Sequence, residues 1–306
     1  MKKILLIIAF FGIGLLSTYA QQLPQYSQYI LNKYVINPAS AGTEDYFAAQ
    51  TNYRSQWEGI KDAPRTYILS VNGPISNKNM GIGGYVFTDI TGPIKKNGFS
   101  LSYAYHIKLS STLKLSLSVN AGLLQYGADG SEITYDRPDI VGSTFLENNI
   151  LPDAGFSFYL HHKKFFFGGS VPQLIRNEIT FDKSVGVQQG TLENHFFLMG
   201  GYQAGLGQNF KLEPSFLLKY ISPVPLQYEA TLRALYKDDY WLGIGYRQDA
   251  AISLLIGITL QESLSLGYSY DFIQSDIVNY SSGSHEIILS IRFNKGRDRK
   301  EKSEEK

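Results

Sequence analysis

The 306-residue chain has no cysteine. A disulfide framework, a thiolate nucleophile and a cysteine-ligated zinc or iron–sulfur site are therefore excluded. It also lacks an excess of either charge. Its 28 Lys and Arg against 27 Asp and Glu leave +1, which gives no electrostatic footprint for nucleic acid. Charged residues make up 18%, below the roughly 25% of an ordinary soluble domain. Beyond the amino-terminal stretch there is no run of about 18 apolar residues, so no helical membrane span is expected. What the chain does hold is 22 Tyr, 18 Phe and 29 Gly. That composition suits aromatic-rich strands joined by glycine bends.

Residues 1–20 read as a secretory leader for the Sec pathway. Lys2 and Lys3 form the charged start, Ile4 to Leu16 the apolar run, and Thr18-Tyr19-Ala20 a small-residue cleavage site. The apolar run is short for a spanning helix and no stop-transfer pattern follows it. The mature chain would begin at Gln21.

From Tyr46 onward apolar residues recur at period 2. Leu113, Leu115, Leu117, Val119, Ala121 and Leu123 alternate with Lys114, Ser116, Ser118, Asn120 and Gly122, and six further rows behave alike. The spacing predicts 14 strands, near 46–54, 65–73, 80–89, 97–109, 112–126, 152–161, 163–170, 194–206, 210–221, 226–237, 240–248, 251–261, 263–273 and 284–293. Many have the roughly 9–11 residues that cross a bilayer at strand tilt. A soluble sandwich also alternates, but its strands average about 5–6 residues. The apolar rows carry aromatics at their ends, among them Tyr103, Tyr105, Tyr126, Phe156, Tyr202, Trp241, Tyr246, Tyr268 and Tyr270, as interfacial girdles do. Alternate connections are short on one side (Leu109–Thr112, Leu160–Lys164, Leu206–Phe210, Tyr236–Tyr240, Leu260–Leu264). On the other most are long (Arg54–Arg65, Gly127–Leu151, Pro172–Glu193, Ile273–Ser284), although two there, near Pro223–Pro225 and Gln248–Ala250, are short. The reading is an all-β transmembrane antiparallel barrel over 46–293, its short turns periplasmic.

Such a lumen is wider than side chains alone fill, so water, loops or a plug must occupy it. Residues 21–45 show little alternation; they line the periplasmic mouth, enter the lumen as a plug, or merely link. Residues 294–306 read as a charged, disordered tail.

Candidates for chemistry are few. His161 and His162 are adjacent, so their side chains diverge and make a poor chelating pair. Gly81-Ile82-Gly83-Gly84 and Gly243-Ile244-Gly245 lie inside strands, where bends or close packing explain them better than phosphate binding. Asp129, Glu132, Asp136 and Asp139 lack an EF-hand spacing. No nucleophile elbow or zincin helix is present. The reading is of a non-enzymatic protein with no cofactor, no metal site and no nucleic-acid partner.

Three motifs make the chain resemble a known family: Gln22-Leu23-Pro24-Gln25-Tyr26-Ser27-Gln28-Tyr29, Asn37-Pro38-Ala39-Ser40-Ala41-Gly42, and Tyr53-Arg54-Ser55-Gln56-Trp57. Tyr268-Ser269-Tyr270-Asp271-Phe272 and His285-Glu286-Ile287 are supporting matches further on. The chain is similar to the PorP/SprF outer-membrane proteins of the type IX secretion and gliding machinery of Bacteroidota. The resemblance implies a barrel in the outer-membrane bilayer with type IX components as periplasmic partners. It also implies a role in secretion or display of cargo such as large adhesins with type B C-terminal domains. An outer-membrane porin or solute channel is the alternative. Asn37, Pro38, Gly42, Tyr53, Arg54, Gln56 and Trp57 become candidates for partner contact or for bracing the barrel. Pro38 and Gly42 would fix a turn, and Trp57 would anchor at the membrane surface.

Overall fold

The computed structural model describes residues 25–75, 79–129, 146–182 and 187–294. The expected leader, the expected tail after Asn294 and the acidic residues Glu132, Asp136 and Asp139 lie outside them. The strands in chain order are β1 (Phe47–Ser55), β2 (Arg65–Pro74), β3 (Met80–Thr91), β4 (Ile94–Lys108), β5 (Lys114–Asp129), β6 (Leu146–His161), β7 (Phe165–Val171), β8 (Glu178–Asp182), β9 (Val187–Thr191), β10 (His195–Tyr202), β11 (Ala204–Leu206), β12 (Phe210–Ile221), β13 (Val224–Tyr236), β14 (Tyr240–Arg247), β15 (Ala251–Leu260), β16 (Leu264–Ile273) and β17 (Ser284–Phe293).

Each barrel strand pairs antiparallel with its neighbours, β1 meets β17 with Phe47 opposite Phe293, and β10 meets β12. Strands β10 and β11 are two stretches of one strand interrupted at Gln203, both paired with β12. The sheet thus closes as a barrel of fourteen strands, with β8 and β9 forming a separate hairpin. Closure is what a lipid setting demands, because hydrocarbon offers no partner to an edge strand's N–H and C=O groups.

The period-2 rows fall as the alternation predicts. Leu101, Tyr103, Val119, Leu123, Leu242, Ile244 and Ile256 point outward and are exposed, while Ser102, Ser116, Ser118, Ser253, Ser269 and Ser290 point inward and are buried. This inside-out polarity is that of a membrane barrel. Two of the expected girdle aromatics face the other way. Trp241 lies one position off the outward row of Tyr240, Leu242 and Ile244, so it turns into the lumen and is buried. Tyr126 shares the inward parity of Ser116, Ser118 and Leu124, and the Lys96 ammonium stands 5.6 Å from its ring.

Three strands outrun their sequence bounds by three residues or more. β4 begins at Ile94 instead of 97, β5 ends at Asp129 instead of 126, and β6 begins at Leu146 instead of 152. Pro152 lies inside β6 without harm. On one side it faces Leu123, but β7 reaches only as far as Phe156, so no β7 partner awaits the missing N–H. Pro214 of β12 plays a related part. It faces Leu232 on one side, and on the other lies in the gap between the Gly201–Ser215 and Ala204–Leu212 pairs, where the neighbouring strand is broken.

One end of the barrel carries short turns, including 162–164, 207–209, 237–239 and 261–263. The other carries the segments 56–64, 172–194 and 274–283. Among the described residues no helix is long and apolar enough to cross a membrane. The amino-terminal residues 25–46 form a strap inside the barrel, with one helical turn, α1 (Lys33–Ile36), and a 3-10 turn at Pro38–Ser40. The strap starts beside the long-loop ends of β1, β14 and β16 and descends to the short-turn end, where β1 begins. The main apolar cluster lies along its contact with the wall. Tyr26, Tyr29, Ile30 and Ile36 pack there with Ile68, Phe197, Met199 and Leu217.

Candidate functional site

The polar inward face of the barrel meets the strap at one dense cluster near the long-loop end. Arg54, on β1, is 2% exposed. Its Nη2 lies 2.7 Å from Asp271 Oδ2 and its Nη1 3.2 Å from Glu286 Oε2. Arg247, the last residue of β14, binds Glu229 through Nε at 2.9 Å and approaches Asp271 at 3.4 Å. Five charges from β1, β13, β14, β16 and β17 are thereby gathered in the lumen. Buried charges persist only when paired and hydrogen-bonded, and here the strap completes the pairing.

Ser27 is the hub. Its Oγ donates to Asp271 Oδ2 (2.8 Å) and accepts from Arg54 Nη1 and Arg247 Nη2, each at 2.9 Å. The Ser27 and Gln28 amides donate to the two oxygens of Glu286, at 2.7 and 3.2 Å. Gln28 Nε2 reaches the Glu286 carbonyl at 3.0 Å. Ser253 supplies a further donor to Asp271 at 2.7 Å. A serine hydroxyl both donates and accepts, so one small side chain serves both signs of charge.

Below the cluster, single polar contacts fix the strap at every level. Asn32 Nδ2 donates to Asn52 and Ser70, both at 3.1 Å, and Gln50 Nε2 donates to the Leu31 carbonyl at 2.7 Å. The Tyr29 hydroxyl lies 3.0 Å from Ser215 Oγ, and that of Tyr34 2.8 Å from Ser102 Oγ. Ser170 donates to the Ile36 carbonyl at 2.6 Å, and the Ala39 amide donates to Ser157 at 3.0 Å.

Two glycine positions allow this fit. A Cβ on Gly81 would stand 2.0 Å from the Ala41 carbonyl oxygen, and one on Gly83 would strike the Tyr34 ring at 2.5 Å. The glycine-rich stretch of β3 is thus the bed on which the strap lies, the close packing that its place inside a strand suggests.

The candidates from the sequence separate into three groups. Asn37, Pro38 and Gly42 belong to the strap. Asn37 caps the 3-10 turn by accepting from the Ala39 amide and donates to the Phe158 carbonyl at 2.9 Å. Pro38 opens that turn, and Gly42 has φ +72° where the chain lies against Gly81. Arg54 is the centre of the charge cluster. Tyr53, one residue away on the same strand, points outward and its ring meets that of Tyr67 at 4.9 Å. Gln56 and Trp57 lie in the loop after β1. The Gln56 amide donates to the Pro64 carbonyl, and Trp57 has φ +55°, with its amide donating to Ser284 Oγ at 3.1 Å. The Tyr53–Trp57 motif is therefore not one surface. Glu229, Asp271, Glu286, Arg247 and Ser27 are the members that sequence reasoning did not single out as a site. Three of them, Ser27, Asp271 and Glu286, lie within motifs that carried the family resemblance. His161 and His162 diverge as expected, one stacked on Tyr159 and the other on Phe165. Among the described residues no group of three metal-ligating side chains occurs.

At the short-turn end the lumen opens into a vestibule of about 1000 Å³. Its walls include Lys33, Glu44, Lys114, His161, Lys164, Glu213, Arg233 and Arg292.

A family model described as type IX secretion system membrane protein PorP/SprF matches residues 18–291. No curated protein matches the chain. Among solved structures, the toluene transporter TbuX of Ralstonia pickettii is similar at 10% identity, with 84% of this chain and 92% of that one covered and a TM-score of 0.50. The CymD monoaromatic hydrocarbon channel is similar at 12% identity, with 90% and 94% covered and a TM-score of 0.50. At such identities the likeness is one of fold.

Proposed function

Since the chain belongs to the PorP/SprF family of type IX secretion system membrane proteins and is an outer-membrane β-barrel, we propose that it serves as a plugged anchor and not as a diffusion pore. In this reading it is exported through the Sec pathway and loses its leader. It then holds secretion-system components at its periplasmic, short-turn end. Its long-loop end supports secretion or surface display of particular cargo, such as a large adhesin with a type B C-terminal domain.

The observation that carries the reading is the strap. Residues 26–30 and 36–42 are buried within the lumen, and hydrogen bonds tie the strap to β1, β2, β4, β6, β7, β12, β14, β16 and β17. An open diffusion pore is obstructed by so many contacts across its own bore. An anchor gains rigidity, because a filled lumen resists the shear that docked machinery exerts. Each carboxylate of the cluster is engaged by an arginine or by strap amides, a structural use of these charges.

The test has two arms. Purified barrel in planar bilayers should be electrically silent, and deletion of the gene should remove specific exported proteins from the cell surface. Steady open-channel conductance together with an unchanged exported proteome would overturn the proposal in favour of the solute-channel reading.

A further inference from the structure

We propose that one half of the short-turn mouth is a docking site for an acidic segment of a protein partner on that side of the membrane. The inference rests on the anchoring reading above and adds the location and chemistry of the contact.

Two lysines and a histidine lie side by side on adjacent strands. Lys108 of β4 is directly opposite Lys114 of β5, and Lys114 is directly opposite His161 of β6. All three share the lumen-facing parity of His106, Ser116 and Tyr159. The turn after β6 adds His162, Lys163 and Lys164, the two lysines exposed to solvent. No Asp or Glu occurs in 106–117 or 159–169. Among the described residues none of these four lysines has a salt bridge, whereas across the mouth Lys211 binds Asp238 and Arg233 binds Glu213. Asp238, Asp239 and Glu262 line that far side together with Lys211, Lys237, Arg233 and Arg292, and the strap adds Glu44, with Asp45 exposed beside it. Charge on the far side is therefore balanced, while the lysines over β4–β7 add positive charge without a salt bridge.

Like charges directly opposite in a sheet repel, and the low-dielectric walls of a concave mouth focus their field outward. Such a surface attracts an anion. The vestibule of about 1000 Å³ admits a peptide segment. Lipid phosphate fits less well. Lys114 and His161 face the lumen, and the outward neighbours Tyr105, Ile107 and Leu117 are apolar. The charge-balanced far side offers an acidic segment no comparable attraction, which favours one orientation of the partner.

The test uses the full-length barrel in detergent and a fluorescent oligo-glutamate peptide, read by anisotropy at low salt, with an oligo-lysine peptide as control. Oligo-glutamate should bind, lose affinity as salt rises, and bind about tenfold or more weakly to the Lys163→Glu/Lys164→Glu variant. A Lys163→Arg/Lys164→Arg variant should bind as the parent does, and Lys114→Gln should weaken binding without removing the folded band on unheated gels. Absent binding at low salt, equal binding by the charge-reversed variant, or substitutions that weaken only attachment to phosphatidylglycerol vesicles would each overturn the proposal. Bilayer silence and cargo loss on deletion do not depend on this contact, so failure here leaves the anchoring reading standing.

Discussion

Removal of the Arg54 guanidinium should free the strap. The cluster holds two arginines against three carboxylates, all nearly dry, and Arg54 alone bridges Asp271 to Glu286 while also donating to Ser27. In Arg54→Ala one arginine faces three carboxylates, and Glu286 retains only amide donors. Breaking one side of a buried charge network costs about 3–5 kcal/mol. At about 1.4 kcal/mol per tenfold, the docking equilibrium of the strap shifts by roughly a hundred- to several-thousand-fold. The natural chain has no cysteine, so a single Ile30→Cys reporter is free of background. Ile30 is 5% exposed in the apolar cluster between strap and wall. Maleimide labelling of the folded barrel should be slow in the reporter protein and faster by that factor once Arg54→Ala is added; the reporter's own cost cancels in the ratio. A second variant, Arg54→Met with Asp271→Asn and Glu286→Gln, removes the stranded charges and should recover much of the loss. If Arg54→Ala labels at the parental rate while the barrel remains folded, the cluster does not hold the strap and the argument fails.

Other expectations concern the wall and its fit to the strap. Gly81→Val should lower the temperature at which the folded band is lost on gels, by a destabilisation of about 1–3 kcal/mol, because a side chain there meets the Ala41 carbonyl. Trp241→Ala should cost about 3–5 kcal/mol in urea unfolding from lipid vesicles, since its ring is buried over Gly257 and Gly267 and packs with Leu255. Leu242→Arg, on the lipid face one position along, should cost about 2–4 kcal/mol in the same assay by placing a cation in hydrocarbon. Parental unfolding curves for Trp241→Ala or Leu242→Arg would invert the assigned facing of β14.

The wall was legible in the sequence because each strand states its two faces every second residue, and lipid on one side with a polar lumen on the other enforces that pattern. β13 to β17 follow it within about two residues at either end. The strap was legible only as a segment without period. It is neither helix nor strand for most of its length, and its position is set by point contacts from residues distant in the chain, such as Ser27 with Asp271. Arg54 was singled out because it lies in a dense motif. Its partners stayed hidden because an acidic residue on the polar face of a barrel strand looks like any other lumen-facing residue until the strands are closed. Trp241 was misassigned for a simpler reason: aromatic identity suggested a girdle, while parity along β14 decided the face. The β8–β9 hairpin went unpredicted because its five-residue strands lie within a long connection and join no barrel neighbour.

The seating of Ser27 has a consequence for biogenesis. Of the groups that grip it, only Arg54 comes from the first strand; Arg247, Asp271 and Glu286 are contributed by β14, β16 and β17. While those late strands are missing, the amino-terminal segment has almost nothing to grasp at that level. Completion of the wall and locking of its contents at this level are thus coupled, because the full grip on Ser27 exists only once β1, β14, β16 and β17 all stand in place.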